Sequence, residues 1–161
     1  YLMKHLLPFV KSYIRNTLDF IQEIKGIAIP DNALLFSADA TSMYTNIDTD
    51  LGIQAIRDFI HLHQVSLPTD FPSELFLQIL EIVMKNNIFS FENTTWLQLS
   101  GTAMGTPAAC AYATISFGQY ENTCILPNFN RHLLYYKRYI DDIFGVWIPP
   151  DSQQERKWHN F

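Results

Sequence analysis

Leu133-Leu-Tyr-Tyr-Lys-Arg-Tyr-Ile-Asp-Asp-Ile-Phe-Gly-Val-Trp-Ile148 holds two strand-like runs separated only by Asp141-Asp142. Tyrosine, isoleucine, valine, phenylalanine and tryptophan favour a pleated, half-buried strand. A two-residue separation is the length of a tight hairpin loop. The pattern therefore predicts an antiparallel hairpin, Leu133 to Ile140 and Ile143 to Ile148, with two acids at its tip. Neighbouring carboxylates repel each other, and a buried, unpartnered one costs several kcal/mol. A cation at the tip removes both penalties. Magnesium suits the position, because it is hard, takes oxygen ligands and is held by one or two carboxylates plus substrate phosphates. The plain alternative is that aspartate is common in turns because it tolerates their geometry. Asp141-Asp142 alone does not separate the two.

Working outward, Ala33 to Ala38 reads as a short buried strand that delivers a third acid, Asp39, at its end. Upstream, Leu6, Phe9, Val10, Tyr13, Ile14, Leu18, Phe20, Ile21 and Ile24 fit a helical face over residues 2–24, with Pro8 dividing or opening it. Downstream, Asp48-Thr-Asp50 looks like a helix start. That helix carries Leu51, Ile53, Ile56, Phe59 and Ile60 and ends near His63. After a loop with Pro68 and Pro72, Ser73 is placed to cap a helix to about Asn86. Its expected inward face is Leu75, Phe76, Ile79, Leu80, Ile82 and Val83. Phe89-Ser-Phe, Glu92-Asn-Thr-Thr and Trp96-Leu-Gln-Leu predict a second hairpin. Gly101 to Pro107 is a tight loop, followed by a helix from about Ala108 to Thr123. Helices against a small antiparallel sheet, an α+β layer, are the natural solution for this order.

The chain has 161 residues, 48% of them apolar and 17% charged, which is globular composition with room for one sizeable core. No apolar run approaches the length needed to span a bilayer, and no secretory signal is visible. The net charge of −5 argues against a nucleic-acid binder, which usually presents a basic surface. A metal-binding site is itself acidic, however, and the basic elements that grip a duplex would then lie outside this segment. Cys110 and Cys124 lack zinc-site spacing and are expected as buried free thiols. His5, His61, His63, His132 and His159 are scattered and are expected at the surface or hydrogen-bonded. No serine has a nucleophile-elbow context.

Three segments, in order, resemble reverse transcriptase motifs. Ser37-Ala-Asp-Ala-Thr-Ser-Met-Tyr-Thr-Asn-Ile47 is similar to the A motif, with its metal-binding aspartate and an aromatic residue five positions on. Gly101-Thr-Ala-Met-Gly-Thr-Pro107 is similar to the B motif loop. Tyr139-Ile-Asp-Asp142, flanked by Arg138 and Ile143-Phe144, is similar to the C motif box. The Ser-Met-Tyr-Thr-Asn-Ile and Ala-Met-Gly-Thr-Pro stretches, with Arg15-Asn-Thr-Leu-Asp-Phe20 upstream, resemble Penelope-like retroelement enzymes, relatives of telomerase.

The resemblance implies a polymerase palm-type sheet with part of the fingers and no thumb. Residues 1–32 would form a fingers and palm helical segment, 33–150 the palm, and 151–161 the cut-off start of a further helix. The implied activity is RNA-directed DNA synthesis by two-metal nucleotidyl transfer. Asp39 and Asp141 would bridge two Mg2+ ions (Mn2+ being the alternative), with Asp142 in support and the Ala40 carbonyl as a further ligand. Tyr44 would be the steric gate against ribonucleotides. Met104 and Gly105 would line the nucleotide and template side, Met104 standing where many relatives have glutamine. Tyr139 would touch the primer end. Lys137 and Arg138 would meet phosphate, or else be strand-edge charges. The implied partners are an RNA template, a DNA primer and a deoxynucleoside triphosphate, in an intracellular and nuclear setting without a membrane. Two other readings remain open: an inactive remnant that only binds nucleic acid, and an unrelated α+β module whose acidic hairpin binds calcium or a protein.

Overall fold

A computed structural model describes residues 2–150. The helix start expected over 151–161 lies outside the described residues. In chain order the elements are α1 (Thr17–Lys25), β1 (Leu34–Asp39), the short α2 (Met43–Asn46), α3 (Thr49–His63), α4 (Ser73–Lys85), β2 (Ile88–Phe91), β3 (Thr94–Leu97), α5 (Ala109–Tyr120), a π-helical turn (Glu121–Ile125), α6 (Leu126–Phe129), β4 (Leu133–Tyr139) and β5 (Asp142–Trp147). They form an α+β fold that divides into two compact units.

The helical unit comprises, among the described residues, 2–10 and 42–120. Asp48 caps α3 by accepting the Leu51 N–H at 2.9 Å. Ile53, Ile56, Phe59 and Ile60 then fall on one buried face, as the periodicity requires. α3 packs on α5, whose Ala109, Tyr112, Ala113 and Ile115 are buried. Gly52 of α3 lies where a Cβ would collide with the Tyr112 ring, so the small residue sets that approach. Burial, together with the charges of Asp48 and Asp50, pushes the Tyr112 phenol up to about 12.

The sheet unit comprises, among the described residues, 11–41 and 121–150. Its sheet has the order β1-β5-β4, antiparallel throughout. Residues 12–14 lie along the outer edge of β4: Arg138 donates its N–H to the Ser12 carbonyl at 2.7 Å, and Ile14 donates to Arg138 at 3.1 Å. Asn16 caps α1 through the Asp19 N–H at 3.0 Å. Phe20 of α1 packs against Phe144 and Tyr135 of the sheet at ring separations of 5.2 and 6.2 Å. Trp147, fully buried, packs with Phe129 and His132.

Several expectations need correction. Residues 2–24 are not one helix: two 3-10 turns, Leu2–His5 and Leu7–Phe9, precede an extended stretch, and α1 begins only at Thr17. Pro8 lacks the N–H a continuing helix needs, and Asn16 opens a new one. β1 is not buried, with Leu34 at 49% and Leu35 at 64% exposure, because it is an edge strand paired only with β5. α4 buries Phe76, Leu77, Leu80 and Met84, while Leu75, Ile79, Ile82 and Val83 are exposed. Ser73 is its first helical residue and makes no cap, since Pro72 occupies the cap position. The thiols are not buried either: Cys110 is exposed and Cys124 half-buried.

Candidate active site

The β4–β5 hairpin turns one residue earlier than its sequence suggests. Tyr139 and Asp142 are the closing pair, so Ile140 and Asp141 form the loop and Asp142 begins β5. Ile140 has φ +57°, a left-handed conformation that is a genuine outlier for a β-branched residue. The register of β1 on β5 sets Asp39 directly opposite Asp142. Directly paired residues share a sheet face with Cβ atoms about 4.5–5.5 Å apart. Ala40 donates its N–H to the Asp141 carbonyl at 2.9 Å. Strand pairing thus gathers Asp39, Ala40, Tyr139, Asp141 and Asp142 at one end of the sheet.

Asp39 and Asp142 are exposed and Asp141 is half-buried. None of the three carboxylates has a hydrogen-bond or ion-pair partner among the described residues. They are hard oxygen donors of the kind magnesium takes. Among the described residues, however, no group of three or more His, Cys, Asp or Glu side chains closes on a common point. The side chains fit a metal by donor chemistry and register, without forming a closed cage.

A cavity of about 400 Å³ opens beside the hairpin, with Asn16, Phe20, Lys137, Tyr139, Asp142 and Phe144 in its lining. Lys137 on this face is ion-paired with Glu23 at 2.9 Å. Burial, and then the neighbouring Glu23 carboxylate that its hydroxyl meets at 3.2 Å, raise the Tyr135 phenol above its ordinary value. Arg138 faces the other way. It is fully buried, and its N–H groups go to Glu121 and to the Ile140 carbonyl. That geometry withdraws Arg138 from phosphate contact and from the strand edge alike.

The remaining candidates lie in the helical unit. Tyr44, on α2, is half-buried and donates its hydroxyl to Cys110 Sγ at 3.1 Å. Its carbonyl accepts the Thr102 N–H at 2.6 Å. Gly101 has φ +75°, and a Cβ there would press on the Tyr44 carbonyl and on Thr45, so only glycine lets this loop seat against the turn. Met104, 76% exposed, and Gly105, with open space around it, follow on the same loop.

Sequence reasoning missed Glu121 and Cys110 as partners of candidate residues. Glu121 carried a signal, being the only charged residue between Glu92 and Arg131. Arg138 carried another, since the two-residue strand period puts it on the face of Tyr136.

No protein-family model matches the sequence, and no curated protein matches it. Solved structures do. Telomerase from Candida albicans, in complex with the TWJ fragment of telomeric RNA, superposes with a TM-score of 0.71 at 12% identity, over 99% of this chain and 31% of that one. Apo telomerase from Candida tropicalis, truncated from its C-terminal domain, gives a TM-score of 0.67 at 10% identity, over 97% and 34% of the two chains. The fold is similar to that of part of these telomerase structures, and the chain spans about a third of their length. Among the described residues, no helix is long and apolar enough to cross a membrane.

Proposed function

We propose that the chain is the nucleotidyl-transfer segment of an RNA-directed DNA polymerase of the Penelope-like type, working on an RNA template, a DNA primer and deoxynucleoside triphosphates. The observation that carries this reading is the register of Asp39 with Asp142. Residues far apart in sequence deliver acids to one end of a sheet, and among the described residues no side chain is paired with them. Asp39, Asp141 and Asp142, with the Ala40 carbonyl, would hold Mg2+ or Mn2+. Bound there, the metal would lower the pKa of the primer 3′-hydroxyl and neutralise the triphosphate and the departing pyrophosphate.

The chain's own work is then positioning, which dominates phosphoryl-transfer catalysis. The β1–β5 register keeps two carboxylates on one face. Tyr139, at 49% exposure and bordering the cavity, presents a ring to the primer end. Tyr44 is held through its hydroxyl and its carbonyl, which suits a ring that must stay put to exclude a ribose 2′-hydroxyl. Met104 is apolar and offers the nucleotide no hydrogen bond.

RNA-templated primer extension tests the reading. Asp39→Ala and Asp141→Ala should each abolish extension, and activity above a mock preparation in either variant contradicts the assignment. Tyr44→Ala should raise ribonucleotide incorporation; unchanged discrimination removes Tyr44 as the gate. A second reading, an inactive remnant that only binds nucleic acid, draws on the lack of a closed cage among the described residues. Primer–template binding by the wild type without any extension would select it.

A further inference from the structure

Arg138 and Glu121 are both fully buried. The guanidinium donates Nε to Glu121 Oε1 at 2.8 Å and Nη2 to Oε2 at 2.7 Å, a bidentate fork. Tyr136 donates its hydroxyl to Oε1 at 2.8 Å, and Ser12 donates Oγ to Oε2. The carboxylate thus accepts four hydrogen bonds from the described residues. The third arm of Arg138, Nη1, reaches past this centre to the Ile140 carbonyl in the hairpin loop.

A buried ion pair is weak evidence for stability, because apolar residues of similar volume often do as well or better. The third arm has a different consequence. It fastens the carbonyl of the left-handed Ile140, and the next carbonyl, that of Asp141, accepts the N–H of Ala40 beside Asp39. One fully desolvated group therefore sets the loop that carries Asp141 and leads into Asp142, and ties it to the end of β1.

We propose that Arg138 is a positioning residue for the acidic site, oriented by Glu121, and that this buried fork presets the carboxylate-bearing loop for its cation. The cation part rests on the nucleotidyl-transfer reading; the preset loop does not. Lysine cannot replace Arg138 here, because one ammonium group does not span Glu121 and the Ile140 carbonyl as a planar fork does.

The test uses Arg138→Lys, which keeps a charge for Glu121, and the double variant Glu121→Met/Arg138→Met, which replaces the pair by apolar side chains. Amide exchange at Ala40 reads the loop, exchange at Val146 in buried β5 serves as the internal reference, and a Mn2+ titration followed by electron paramagnetic resonance reads the site. In both variants Ala40 should exchange about tenfold faster while Val146 is unchanged. Mn2+ affinity should fall about 10–100-fold, the usual cost of losing an outer group that orients metal ligands. Wild-type Ala40 exchange in a folded variant overturns the proposal, as does loosened exchange with unchanged Mn2+ affinity. Should Arg138→Lys lose its cooperative transition, the double variant carries the same readouts. If the wild type binds no Mn2+ that Asp141→Ala removes, the nucleotidyl-transfer reading fails instead, and Ala40 exchange still decides whether Arg138 presets the loop.

Discussion

Two hairpins in this molecule share a turn and differ in everything around it. β2–β3 closes on Phe91 and Thr94 around Glu92-Asn93; β4–β5 closes on Tyr139 and Asp142 around Ile140-Asp141. The first loop residue is left-handed in both, φ +52° at Glu92 and +57° at Ile140, where glycine would be the easy choice. Such a conformation costs a non-glycine residue roughly 1–2 kcal/mol. Every strand residue of β2–β3 is exposed, and among the described residues its sheet has no third strand. β5, by contrast, is flanked on both sides, and β4 carries the buried Arg138 whose third arm grips the loop. Strain in the exposed hairpin is a local matter. In the other it is imposed from the core, at the residue that precedes the two aspartates.

The contrast can be broken most severely at its buried end. Arg138→Met alone leaves the Glu121 carboxylate buried and unpaired, and should cost about 3–5 kcal/mol in urea denaturation. Adding Glu121→Met should recover most of that loss. A mild effect of the single substitution would mean that water already reaches the fork. No comparable loss is available in β2–β3, whose side chains are all solvated.

Alkaline pH should act next. Burial, and then the Glu121 charge, raise the Tyr136 phenol above its ordinary value. The unfolded chain ionises near pH 10 while the folded one keeps its proton, so the unfolded state binds fewer protons there. Stability should be intact below about pH 10 and fall as pH rises through the folded value. Tyr136→Phe should flatten that fall, as measured by urea midpoints against pH. Tyr135 and Tyr112 shift the same way and leave a residual slope.

Ile140→Gly should change stability by no more than about 1 kcal/mol, because relief of strain and added chain freedom oppose each other. It should nonetheless speed exchange at Ala40. Glu92→Gly should move stability by a few tenths of a kcal/mol, within the usual range for a surface position, and leave Ala40 exchange unaltered. Equal responses at Ala40 to the two glycine substitutions would erase the distinction between the hairpins.

The sequence showed most where a pattern had one physical solution. The apolar runs around Asp141-Asp142 admit only a hairpin, and Asp48 with the four-residue spacing of Ile56 and Ile60 admits only a helix. It misled where the pattern was degenerate. Leu6, Val10 and Ile14 are buried at a helical interval, yet the backbone there is 3-10 turns and extended chain. α4 is apolar nearly all round, so composition could not select Phe76, Leu77, Leu80 and Met84 as its buried face. The turn was placed one residue late because a left-handed isoleucine is what sequence preference argues against. The fork was missed because it joins one charge in a strand to one at the end of a helix, and neither has a local partner that would betray it.

The central claim is that Asp39 and the hairpin acids serve one cation. Mn2+ titration of the wild type, Asp39→Asn, Asp141→Asn and the double variant tests it most directly. If the claim holds, each single substitution lowers affinity at least about tenfold, and the double variant loses far less than the sum, as coupled ligands do. Strictly additive losses, or wild-type affinity in either single variant, would contradict it.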